Sequence, residues 1–172
     1  MNLNLFKGYH DKEPVATTLS EVVRLIREDA TVKEHTEKFR YLNSLPQQEK
    51  RECERVKHGT PCFAVAVRFD GGKQEKHICG WTGLTLADFD HLPPERLEAL
   101  KALAAQDVHT LLAYVTISGH GLRILSRVTL PDGDEKTNLK QMKRLYLAAF
   151  EQMNSHYERL LGFPADLKCK NA

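Results

Sequence analysis

From Trp81 to Leu161 the apolar residues alternate between strand and helix spacing in an order that few folds satisfy. "WTGLTLADF" (81–89) is dense in β-formers and reads as a strand. "PPERLEALKALAAQ" (93–106) opens on prolines and carries Leu97, Leu100 and Leu103, the spacing of a helix stripe. "TLLAYVTI" (110–117) and "LRILSRVTL" (122–130) are strands joined by the turn "SGHG". After a second turn, "PDGD" (131–134), a long helix is expected over roughly Thr137 to Leu161. Leu139, Met142, Leu145, Ala149, Met153 and Leu160 form its inward stripe, and Gly162 and Pro164 end it.

Strung together this is β-α-β-β-α, one strand short of the split βαβ, ferredoxin-like order. In that fold the first and third strands are antiparallel neighbours in the middle of the sheet. The end of "LADFD" therefore meets the start of "SGHGLRIL". The chain reads as a piece that stops, at "LKCKNA", before the final strand.

The first half is more helical. Thr18-Leu19-Ser20-Glu21 has the form of a capping box, opening a helix with Val22, Val23, Leu25 and Ile26 on its apolar face. A polar stretch holding Phe39, Tyr41 and Leu42 continues as helix. "SLPQQEKRECERVKHG" (44–59) is expected to be another, with Ser44 as N-cap, Pro46 in its first turn and Gly59 as stop. "CFAVAVRF" (62–69) is a strand, Asp70-Gly71-Gly72 a turn, and a strand near His77 to Gly80 completes a hairpin. The expected architecture is α+β: an N-terminal α/β unit (1–80) packed on an RRM-like unit (81–172).

With 172 residues, 41% of them hydrophobic, the chain can bury a real core. No apolar run reaches the length of a membrane span, and the opening lacks a signal peptide's apolar region, so a soluble, cytoplasmic protein is expected. A net charge of +2 means that any nucleic-acid partner is engaged through a local patch. Cys53, Cys62, Cys79 and Cys169 form no CxxC pair and read as buried, reduced thiols. A zinc set of Cys53, Cys62, His77 and Cys79 matches no common spacing and is the weaker reading.

Three pieces carry chemistry. Asp88 and Asp90 stand two apart at a strand end, so both point to one side about 7 Å apart. Carboxylates so placed repel unless solvent or a hard cation such as Mg²⁺ or Mn²⁺ relieves them. Ser118, Gly119, His120, Gly121 and Arg123 offer glycine-freed amides and polar side chains, a cradle for a triphosphate. Asp166 follows the last helix, where the missing strand would begin beside the first. Three carboxylates and a phosphate turn suit two-metal phosphoryl transfer. Taken singly, each has a plainer reading: a solvated strand end leading to Pro93-Pro94, a hairpin turn, a loop acid. Only their order together favours the site. Lys140, Lys143 and Arg144 read as a solvated helix face, and Lys168 and Lys170 equally as a solvated chain end or a template contact. Trp81 and Phe89 read as core, and His77 and His91 as lone histidines outside the site.

A strand ending in DxD, a hairpin with a small-residue/glycine motif and a later single acid resemble the archaeo-eukaryotic primase superfamily, the primase-polymerases. More closely, the chain looks like the branch at the N-terminus of virulence-associated-E-type proteins of Bacteroidetes and their mobile elements. "LFKGYHDKEPVATTLSEVVRLI", "VKHGTPCFAVAV", "GLTLADFDHL" and "TISGHGLRIL" carry the similarity. The resemblance implies metal ligation by Asp88, Asp90 and Asp166, and triphosphate contact by Ser118, His120 and Arg123. It implies an active site in the cleft between the two units, a single-stranded DNA template and a helicase-like ATPase nearby. The implied activity is template-directed nucleotidyl transfer, as a DNA primase or polymerase in mobile-element replication. Arg123 stands where that family usually has histidine; it binds phosphate well but cannot shuttle a proton at neutral pH. Two alternatives follow: a catalytically degenerate domain that grips single-stranded DNA or nucleotide beside a helicase, and a metal-dependent phosphohydrolase.

Overall fold

Residues 1–46, 49–129 and 139–171 are described by a computed structural model. They form a mixed α+β structure with three small antiparallel sheets, and the chain divides into two units, Met1–Thr82 and Gly83–Ala172.

The first unit holds β1 (Asn2–Phe6), β2 (Val15–Thr18), α1 (Leu19–Glu28), α2 (Ala30–Ser44), α3 (Lys50–Gly59), β3 (Cys62–Ala64), β4 (Val67–Phe69) and β5 (Ile78–Trp81). One sheet runs β2-β1-β3, and β4 pairs with β5 as the expected hairpin. The first two strands were not anticipated. Leu3 and Phe6 are buried in β1, and the buried Asn4 accepts the Phe69 N–H at 2.6 Å. Thr18 caps α1 by accepting the Glu21 N–H at 3.2 Å, as its sequence predicts. Ser44 does the opposite of its expected role. It is the last residue of α2, and its hydroxyl donates to the Tyr41 carbonyl at 2.8 Å. Pro46 disfavours helical backbone at Leu45, so the chain breaks there and α3 starts only at Lys50. "CFAVAVRF" is likewise two strands, because Val65 and Ala66 leave the ladder and turn their carbonyls to the Thr82 hydroxyl.

The second unit holds β6 (Leu84–Phe89), α4 (Pro94–Gln106), β7 (Thr110–Val115), β8 (Leu122–Arg127), α5 (Leu139–Leu161) and a 3-10 turn (Leu167–Asn171). "WTGLTLADF" is divided by Gly83, whose φ of 73° is left-handed and marks the end of β5 and the start of β6. The sheet order is β6-β8-β7 with both pairs antiparallel, the order that the β-α-β-β-α pattern predicts. Ala87, Phe89, Leu122 and Ile124 form the sheet's core face, against Leu97, Leu100 and Ala104 of α4 and Met153, Tyr157 and Leu161 of α5.

Two stripes differ from expectation. Leu103 is 40% exposed while Ala104 is fully buried, since the helix turns its i, i+3, i+7 line inward from Leu97. On α5 the buried residues are Tyr146, Phe150, Met153, Asn154, Tyr157 and Leu161, with Met142, Leu145, Ala149 and Leu160 only half-buried. Polar handles set that rotation: the Tyr157 hydroxyl meets Ser126 at 2.9 Å and Thr110 at 2.8 Å, and Asn154 donates to the Leu86 carbonyl at 3.2 Å. "PDGD" and Thr137 lie outside the described residues. Among the described residues, no helix is long and apolar enough to cross a membrane.

Candidate functional site

Register builds the site. In the β6-β8 ladder Asp88 faces Arg123, and in the β8-β7 ladder Tyr114 faces the same Arg123. Asp88, Arg123 and Tyr114 therefore form one row across three strands. Because side chains alternate along a strand, the row lies on the face opposite Ala87, Phe89, Leu122 and Ile124.

Asp88 is buried, at 4% exposure. Its Oδ2 accepts a hydrogen bond from Arg123 Nε at 2.9 Å and pairs with Nη2 of the same guanidinium at 2.8 Å. The Cys169 thiol reaches the same oxygen at 3.6 Å. Oδ1 is buried with no hydrogen-bond partner among the described residues. The Arg123 side chain is 39% exposed, so one edge is clamped and another part faces outward. Burial opposes its charge, but Tyr114 and Asp88 outweigh burial and hold the guanidinium protonated. Burial pushes the Tyr114 phenol above its ordinary range, and Arg123 only partly offsets this. Burial and the neighbouring Asp88 charge push the Cys169 thiol up to about 11.

The turn between β7 and β8 sits against the end of β6. The His120 carbonyl accepts the Leu92 N–H at 2.8 Å. Gly121 has no room for a side chain: a Cβ would lie 2.7 Å from Thr116 Oγ1 and 2.8 Å from the Phe89 carbonyl oxygen. Gly119 takes a left-handed φ of 76°. Two amides expected to cradle phosphate are instead used within the turn. The Gly119 N–H donates to the Thr116 carbonyl at 3.0 Å, and the His120 N–H to Ser118 Oγ at 3.3 Å. Ser118 Oγ also meets Thr116 Oγ1 at 2.9 Å, while the His120 side chain is exposed.

After α5 the chain returns to β6. The Asp166 N–H donates to the Asp88 carbonyl at 2.7 Å, and Asp166 Oδ1 accepts the Lys168 N–H at 2.9 Å. Asp90 lies just past the strand end and is exposed. Asp88, Arg123 and the Asp166 main chain are thus brought together, but the three acids do not form a ready metal centre. Among the described residues no three His, Cys, Asp or Glu side chains gather to hold an ion, which also leaves the Cys53/Cys62/His77/Cys79 zinc set unassembled. A guanidinium already holds Oδ2 of the one buried carboxylate and leaves a cation only Oδ1. The residues present do not fit a preformed Mg²⁺ or Mn²⁺ site.

Sequence reasoning missed Tyr114 and Cys169. Tyr114 was readable once the strand order was fixed, since pairing β7 to β8 sets it opposite Arg123. Cys169 carried no such signal.

A family model described as "BT4734-like, N-terminal domain" matches residues 55–172, a span that includes every candidate residue of the site. No significant match exists among curated proteins or among solved structures. The chain belongs to the BT4734-like N-terminal domain family.

Proposed function

We propose that this BT4734-like domain is a primase-polymerase-like module that holds nucleoside triphosphate and single-stranded DNA through Arg123. It serves DNA replication, of a mobile element, beside a helicase-type ATPase. The observation that supports this best is the clamped guanidinium: Arg123 is fixed from one side at 2.8 and 2.9 Å by Asp88 and remains 39% exposed. A planar fork whose orientation is set in advance loses little freedom on meeting a phosphate and can bind it bidentately. Ser118 and the exposed His120, in the turn that leads into β8, would complete the contact with the triphosphate.

The test is fluorescence anisotropy of a labelled oligothymidine with the full chain in EDTA, with dATP as competitor. Binding should weaken as salt rises. It should weaken by roughly tenfold or more in Arg123→Lys, which keeps the charge but loses the fork. Equal binding by Arg123→Lys would show that the fork is not used, and equal binding by Arg123→Ala would remove Arg123 from the interface.

A second reading, metal-dependent nucleotidyl transfer using Asp88, Asp90 and Asp166 with Mg²⁺ or Mn²⁺, is favoured by one detail. Asp88 Oδ1 is buried without a partner, and the Asp166 N–H is anchored on the Asp88 carbonyl beside it. Extension of a primed template in Mn²⁺, abolished in Asp88→Asn, would establish it. No extension by the wild-type chain would leave the binding module.

A further inference from the structure

Resting on the reading of Arg123 as the phosphate-holding group, we propose that Arg123 is also a built-in counter-ion that closes Asp88 to free divalent cations. The two nitrogens nearest Asp88 both meet the same oxygen, Oδ2, at 2.9 and 2.8 Å. Asp88 and Arg123 are direct partners in the β6-β8 ladder, so they cannot separate without one side chain swinging away or the ladder opening. Tyr114 is the direct partner of Arg123 on the other side, in the β7-β8 ladder.

The other acids do not supply what Asp88 lacks. Asp90 is exposed beyond the strand end, and one oxygen of Asp166 is engaged by the Lys168 N–H at 2.9 Å. A hard divalent cation takes six or so oxygen ligands, and Asp88 offers one open oxygen, Oδ1. A cation arriving there would also face the guanidinium across a single carboxylate, and like charges at that range repel. Asp88 is thus neutralised by the protein itself, and the charge balance that metal would supply elsewhere is supplied here by position 123.

The experiment is a Mn²⁺ titration of the full chain, with free Mn²⁺ read by electron paramagnetic resonance. Wild type and Asp88→Asn should take up Mn²⁺ alike, weakly and without saturation. Arg123→Ala should gain one saturable site, at least tenfold tighter, and Mn²⁺ should raise its melting temperature. Adding Asp88→Asn to that variant should remove both effects. Should Arg123→Ala fail to fold, Arg123→Gln replaces it, since glutamine keeps a donor for Asp88 without the charge. A saturable wild-type site that Asp88→Asn abolishes would overturn the proposal, and so would a folded Arg123 variant that gains none. DNA binding is measured in EDTA, so its loss strikes the functional reading alone and leaves this metal pattern to be judged separately.

Discussion

Glu52 and Asp88 are both carboxylates held by an arginine, one in each unit, and the same chemistry has opposite consequences in the two places. Glu52 accepts from Arg55 at 2.7 and 2.6 Å and meets Lys38 at 3.1 Å, on a surface where Arg55 is 71% exposed. The Arg55 hydrogen bonds, then Lys38, draw its carboxyl down to about 2. Water and salt would serve that carboxylate almost as well. Asp88 has one arginine, almost no water and an oxygen to spare. Its ion pair matters because almost no water reaches the carboxylate to replace the arginine, which is a statement about the cost of breaking it and not about its net strength.

The sharpest way to break this comparison is truncation. Arg123→Ala should cost about 3 kcal/mol in urea denaturation, the low end for a broken buried pair because the guanidinium is partly exposed. Arg123→Met combined with Asp88→Leu should recover most of that loss, since removing both charges leaves nothing unpaired. A cost indistinguishable from that of Arg55→Ala would mean that Asp88 is hydrated after all.

Next in size is the Cys169 thiol. Its ordinary value of 9.0 is raised to about 11 by burial and by Asp88, so the folded state favours the protonated form. The stability this confers is full below about pH 9 and is lost as pH rises through 11. At pH 8 iodoacetamide should modify Cys169 on the order of 100-fold more slowly in the folded chain than in urea, because so little of the buried thiol is ionised. The exposed Cys79 should react without such delay. Equal rates would place Asp88 in a wetter setting than its burial implies.

A neutral control sharpens the same contrast. Tyr157→Phe leaves the buried Ser126 hydroxyl without its partner and should cost about 1–2 kcal/mol, with no dependence on salt. Smallest of all is Arg55→Ala. It should leave the melting temperature unchanged within scatter in 0.5 M or so NaCl, where exposed pairs are screened. Any effect of losing the Glu52 interaction should appear only above its folded value of about 2 and fade as pH falls from 4.5 toward it.

What the sequence disclosed was decided by distance along the chain. The Thr18 cap is a three-residue signal and was readable, as was the β6-β8-β7 order, because it follows from element order alone. Ser44 misled because the helix before it was not given an end, so a good cap residue was assigned to the wrong helix. The α5 stripe was displaced because leucines were counted as inward while Tyr157 and Asn154, which turn the helix through their polar ends, were not. In the site, strand order placed Asp88 near the turn, but Arg123 was assigned to a ligand and not to Asp88. That assignment needed residue-by-residue register, which depends on where the turn tightens, and Gly121's close approach to Phe89 sets it.

The direct pairing of Asp88 with Arg123 in the ladder has a consequence for how the domain can change over time. A substitution of Arg123 alone strands the buried Asp88 charge beside β-sheet that cannot rehydrate it, and the chain is weakened before any benefit arrives. A route to a different residue at 123, histidine included, passes through a fragile intermediate unless another cation first relieves Asp88. A descendant that loses Arg123 must already have something positive to put beside Asp88.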